Sequence, residues 1–116
     1  MSNNIIEDKS FAFAVRIVNV YKHLSNEKKE FVISKQLLRS GTSIGANVAE
    51  AVKGQSKADF TAKMCIALKE ANETFYWLKL LKETDYLSEK QFESLHADIN
   101  ELIKLLVSIC KSSIKK

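Results

Sequence analysis

The chain has no proline, only three glycines and only two cysteines in 116 residues. Sandwiches and barrels draw their tight turns largely from glycine and proline, so their scarcity argues against an all-β fold. Cys65 and Cys110 form no CxxC pair, and neither a metal nor a redox signature is present. No run of roughly 18 apolar residues occurs, so no membrane span is expected. HExxH, the phosphate-binding loop and the glycine-rich dinucleotide turn are missing. Gly41-Thr42-Ser43-Ile44-Gly45 matches GxSxG in letters, but it falls inside the predicted second helix and not at a strand-to-helix turn, so no nucleophile elbow is expected. The expectation is a chain without catalytic residues, metal or cofactor, and not an enzyme.

What is present suits a soluble helical protein. Hydrophobic residues make up 46% and charged residues 28%, a balance typical of folded chains. The length fits one domain, residues 1–116, large enough to bury its own core. The net charge of +4 tilts the chain mildly towards acidic partners. The opening MSNNIIEDKS is polar and holds Glu7 and Asp8, so a signal peptide is not expected. The expected location is the cytoplasm, where both cysteines would stay reduced.

Hydrophobic periodicity predicts four helices, at roughly 8–24, 28–53, 57–83 and 88–112, joined by short breaks. That pattern reads as an antiparallel up-down-up-down four-helix bundle. The first helix is apolar over well over half its circumference, whereas a surface helix needs a stripe only about 100° wide. The excess points to a second covering surface, another subunit or a central position in the bundle. Ser25-Asn26 reads as the turn and N-cap region before the second helix. Gly41, Gly45 and Ala49, spaced by four, form a smooth ridge that favours close intrachain packing over a ligand or subunit contact. Gly54 suits a left-handed helix stop. Ser56-x-x-Asp59 and Ser88-x-x-Gln91 read as capping boxes, and the tail KSSIKK is expected to fray.

Few residues suggest chemistry. Glu93-x-x-His96 is half of a di-iron bundle motif, but His23 has Val20 three places before it, so the partner half is missing. Arg16, Asn19 and His23 share a face of the first helix, a spacing similar to that of HEPN-type helical ribonucleases. There the arginine would steady phosphate and the histidine serve as acid or base. A solvated polar strip is the competing reading. Lys35, Arg39 and Lys53 project from one side of the second helix, Lys57 follows, and Lys111, Lys115 and Lys116 form a basic tail. These seven side chains are the candidate phosphate contacts for RNA or DNA, against an ordinary solvated face. Charge is spread along the chain, so an oligomer would make a better nucleic-acid ligand than one subunit. On the third helix Ile66, Glu70, Glu73 and Trp77 read either as a subunit strip with internal salt bridges or as an amphipathic edge.

The stretch from Arg39 to Ala51, RSGTSIGANVAEA, resembles the "SIxxNxAE" helix of the 23S rRNA-intervening-sequence proteins. The likeness continues through Lys57-Ala58-Asp59-Phe60, the segment Ala67 to Thr74, Tyr76-Trp77-Leu78 and Leu80-Leu81. It covers nearly the whole chain, while the first helix and the tail match only in pattern. The resemblance implies an antiparallel four-helix bundle assembling into a ring-like homopentamer. It also implies kinship with accessory proteins of diversity-generating retroelements, which present a basic surface to nucleic acid. It brings no agreed activity and no catalytic residues. Ser43, Asn47 and Glu50 match the motif with no assigned role, and Asn47 and Glu50 are expected to cap or bridge neighbouring helices. A ring would use Phe13, Ile17, Val20, Ile66, Glu70, Glu73 and Trp77 as its subunit interface. The expected function is a non-catalytic binding or scaffold protein. A protein-interaction adaptor for a separate enzyme is the first alternative, and a ribonuclease the second.

Overall fold

A computed structural model describes residues 2–115, with side chains placed for residues 5–114. It consists of four helices, α1 (Ser2–Asn26), α2 (Ile33–Val52), α3 (Lys57–Glu83) and α4 (Glu89–Lys115). No strand occurs among the described residues, and no described helix is long and apolar enough to cross a membrane. Each helix packs against the next in sequence, and α1 closes the array on α4 along a more open seam.

The core follows from helical spacing. Ile6, Phe13, Ile17 and Leu24 form one fully covered stripe of α1, opposed by Leu37, Ile44 and Val48 of α2. Met64, Ala71 and Leu78 of α3 meet Leu95, Ile99, Leu102 and Leu106 of α4 in the same cluster. Gly41 and Gly45 let α2 lie close to α1. A methyl on Gly41 would stand 2.9 Å from the Ile17 side chain, and one on Gly45 would stand 3.2 Å from the Ser10 carbonyl oxygen. The small-residue ridge is thus used for intrachain packing, which offsets the helix propensity that glycine loses. The buried hydroxyls of Ser40 and Thr74 lie 3.0 Å apart between α2 and α3. Every buried polar side-chain atom among the described residues has a partner.

Helix ends differ from expectation in instructive ways. α1 starts at Ser2 because Ile6 extends the buried stripe one turn before the polar opening ends. α2 starts at Ile33, not near 28. The chain first wraps the end of α1, with the Glu30 amide donating to the Leu24 carbonyl at 2.9 Å and Lys29 left-handed at φ 57°. The cap of α2 is Glu30, not the Ser25-Asn26 pair. Its carboxylate accepts from the amides of Val32 (3.2 Å), Ile33 (2.9 Å) and Ser34 (2.6 Å).

α3 has the predicted bounds, and the Asp59 amide donates to Ser56 Oγ at 3.1 Å. Gly54 is not left-handed, since no described glycine has positive φ. It is favoured by room instead, since a methyl there would lie 3.1 Å from the Ala51 carbonyl oxygen. The left-handed stop falls on Asp85 (φ 68°) after α3. There the Tyr86 amide donates to Leu81 and the Asp85 amide to Lys82, the paired bonds of a Schellman turn. Ser88 and Gln91 close a reciprocal capping box at 2.8 and 3.1 Å.

The cysteines are the clearest correction. Cys65 of α3 and Cys110 of α4 form a disulfide with their Cα atoms 5.7 Å apart. The expectation of two reduced thiols rested on compartment alone, and the fold brings the pair together across 45 residues of chain. A loop of that length corresponds to about 4 kcal/mol of stabilisation in the chain-entropy account. Beside the bond, the Thr61 and Ser113 hydroxyls are hydrogen-bonded. α4 runs as a helix to Lys115, so the described part of the tail that was expected to fray is helical, and Lys116 lies outside the described residues.

Candidate functional site

The predicted basic residues separate into groups. Lys35 lies near the start of α2 and Lys53 just beyond its end, 18 residues apart on one rod, or about 27 Å. Lys53 and Lys57 flank the α2–α3 connection, and both are exposed. Lys111 is also exposed, and the Cys65–Cys110 and Thr61–Ser113 ties bring the last turns of α4 beside the first turns of α3. Lys53, Lys57 and Lys111 therefore share one end of the molecule. The side chains of Lys115 and Lys116 lie outside the described residues. Around the connection, a groove of about 550 Å³ mixes charges, with Glu50 and Asp59 beside Lys53 and Lys63.

Arg39 is half-exposed and is also engaged across to α3, a partnership the sequence reading did not include. Its guanidinium donates to Glu70 of α3 at 3.2 Å and forms a second ion pair with Glu73. Trp77 Nε1 donates to the same Glu73 carboxylate at 3.0 Å. The Trp77 and Arg39 hydrogen bonds, against burial, hold the Glu73 carboxyl below its ordinary value. The Glu73 hydrogen bond, against desolvation, raises the Arg39 guanidinium above its own. This network ties α2 to α3, so the salt bridges of the Glu70–Glu73–Trp77 stripe have an intrachain partner that the sequence reading missed. Ile66 stays outward at 39% exposure.

The interface expected on α1 needs a larger correction. Phe13 and Ile17 are 2% and 0% exposed within a single chain, so they have no surface for a second subunit. Val20 is half-buried against the core. The outward apolar residues of α1 are instead Phe11 (71%), Ile5 (50%) and Val15 (48%). A 100° wheel sets Phe11 and Val15 opposite Phe13 and Ile17, so the signal was legible once one side was assigned to the core. A further exposed apolar pair, Phe31 and Val32, sits on the α1–α2 connection.

The motif residues divide in their roles. Glu50 bridges to Lys63 of α3 at 2.9 Å, as expected of a helix-bridging group. Asn47 does not bridge: its Nδ2 donates to the Ser43 carbonyl at 2.8 Å within α2. Ser43 Oγ likewise donates to the Arg39 carbonyl at 2.6 Å.

Arg16, Asn19 and His23 line a groove of about 450 Å³ between α1 and α4, facing Lys90, Gln91 and Ser94. Arg16 is anchored there by Asp98 at 2.7 Å. His96 packs against the Phe75 and Phe92 rings, at centroid separations of 5.2 and 5.4 Å. Among the described residues no group of three or more histidine, cysteine, aspartate or glutamate side chains is placed to hold a metal.

Comparison with known proteins fits this architecture. The family model for the 23S rRNA-intervening sequence protein matches residues 2–108. The structure is similar to a crystal structure of a protein with unknown function from the S23 ribosomal protein family of Bacteroides thetaiotaomicron VPI-5482. That likeness has a TM-score of 0.94 and 62% sequence identity, covering 96% of this chain and 99% of that one. No curated protein matches the chain. With its four helices and its SIxxNxAE segment inside the matched span, this chain belongs to the 23S rRNA-intervening sequence protein family.

Proposed function

We propose that this protein is a non-catalytic, oligomeric binding or scaffold module of the cytoplasm that holds RNA or DNA by its phosphates. The observation that carries the reading is the gathering of Lys53, Lys57 and Lys111 at one end of the molecule. Three exposed ammonium groups neutralise phosphates without reading bases. One subunit offers too few such contacts for firm binding, and a ring multiplies them. In this proposal the helices run up-down-up-down, as their short connections favour. The chains assemble as a ring-like homopentamer, with the outward Ile5, Phe11 and Val15 of α1 in the contact. A disulfide is rare in the cytosol, so there Cys65 and Cys110 would face reducing conditions.

A second reading has its own observation. Phe31 and Val32, 53% and 74% exposed, are presented on a connection fixed by the Glu30 cap, which suits contact with a partner protein. Binding of nuclease-treated protein to an RNA hairpin and a DNA duplex separates the two. Micromolar or tighter binding supports phosphate recognition. Absence of binding at low salt, with a stoichiometric protein co-purifying, supports the adaptor.

A further inference from the structure

The α1–α4 seam carries a groove whose lining differs from those around it. Cationic or protonatable side chains reach it from both walls, Arg16 and His23 from α1 and Lys90 from α4, and no carboxylate lines it. The adjoining groove on the same seam sets Asp98 and Glu101 against Lys9 and Arg16. The groove at the α2–α3 connection sets Glu50 and Asp59 against Lys53 and Lys63. In both of those each cation has a carboxylate in the same lining; here Arg16 is paired with Asp98 from outside the lining, and Lys90 has no carboxylate within it.

Its geometry is fixed by neighbouring bonds. Lys9 pairs with Glu101 at 3.1 Å, and Arg16 pairs with Asp98 at 2.7 Å. That register, carried two turns further along α1, sets His23 level with Lys90. Arg16 also donates to the Ser94 carbonyl at 3.3 Å and to Ser94 Oγ at 3.0 Å. These three bonds occupy three of the five guanidinium N–H groups, leaving two for a ligand. Arg16 and His23 are about 10 Å apart along the helix. Between them Asn19 and Gln91 offer side-chain amides, over an apolar floor of Val20, Leu87 and Leu95. The volume, about 450 Å³, falls in the range of small-molecule sites.

We infer that this groove binds a nucleoside 5′-phosphate. The phosphate lies between His23 and Lys90, and the sugar and base lie on the apolar floor towards Arg16. The same chemistry is offered by a free nucleotide or by the 5′-phosphorylated end of an RNA strand. The site lies at the opposite end of the molecule from Lys53, Lys57 and Lys111, and is independent of the binding proposed there.

The test is calorimetric titration of the full chain with AMP, adenosine, inorganic phosphate, and an RNA oligonucleotide carrying a 5′-phosphate or a 5′-hydroxyl. The proteins are the parent, Lys90→Glu, His23→Asn and the control Lys79→Glu, an exposed lysine of α3 outside both sites, each checked for unchanged helicity. A nucleoside 5′-phosphate, free or at an RNA end, is expected to saturate one site per chain. It should bind about tenfold or more tighter than adenosine or phosphate alone, and Lys90→Glu should weaken it about tenfold. AMP matching the phosphorylated oligonucleotide supports the site with a free nucleotide as ligand. A phosphorylated oligonucleotide about tenfold tighter than both AMP and its 5′-hydroxyl form supports the site with an RNA end as ligand. Three outcomes overturn the inference: no saturable binding of either phosphate form, parent-like affinity in both Lys90→Glu and His23→Asn, or an equal loss in the control Lys79→Glu.

Discussion

Glu30 is 8% exposed, with its two carboxylate oxygens turned to the first amides of α2. Burial acts to raise its pKa, and the hydrogen bonds from Ile33, Ser34 and Val32 reverse that, so the net shift is downward from 4.5. A depressed native value means that the stabilisation is complete above the ordinary carboxylate pKa and is lost as pH falls through the native value. Glu30→Ala is expected to cost about 0.5–2 kcal/mol at pH 7, as for loss of a helix cap. The gap to the parent should narrow below pH 4.5, read by urea denaturation at pH 7 and pH 3. An equal gap at both values would mean that the carboxylate charge is not what caps α2. This residue was hard to read in the sequence because the usual cap residues, Ser25 and Asn26, stand just upstream. Only the left-handed turn at Lys29 brings a longer acidic side chain into their place. Arg39 was hard for a related reason: its charge was visible, but Glu70 and Glu73 lie 31 and 34 residues away.

At the scale of elements, the contact of α1 with α2 depends on what glycine omits. Alanine in place of Gly41 gains about 1 kcal/mol of helix propensity. Its methyl, however, would stand 2.9 Å from two carbons of Ile17, a fully buried side chain with little room to shift. Overpacking of that kind costs about 1–3 kcal/mol, so Gly41→Ala should lower stability by urea denaturation despite the better helix former. A rise in stability would show that α1 and α2 do not approach so closely. Most of the element plan was legible in advance. The four helices, the α3 bounds and the Ser88–Gln91 box follow from three- and four-residue spacing and local side-chain bonds. The start of α2, the conformation of Gly54, the helical reach of α4 to Lys115 and the disulfide were not, because each depends on backbone shape or on contacts from distant sequence.

At the scale of the whole molecule, the apolar surface left over by the core points outward from α1. If Phe11 and Val15 join subunits, Phe11→Glu with Val15→Glu should reduce the assembly from about 66 kDa for five chains of 13.1 kDa towards a single chain. Light scattering reads the mass and circular dichroism the helicity, which should be unchanged. An unaltered mass would remove that face of α1 from the interface. The candidate site was legible only in part. The lysines were visible as charges, but only the helix–helix ties reveal that Lys53, Lys57 and Lys111 gather while Lys35 stands apart.

The salt dependence of binding to a DNA duplex tests the central claim most directly, with the parent compared with a Lys53→Glu, Lys57→Glu, Lys111→Glu variant. Each neutralised duplex phosphate contributes about −0.9 to the slope of log K against log salt. The account predicts a linear fall steeper than about −2.7, the most that these three lysines of one chain can supply, and its loss in the variant. Parent and variant binding alike at low salt, or no binding by the parent, would contradict it.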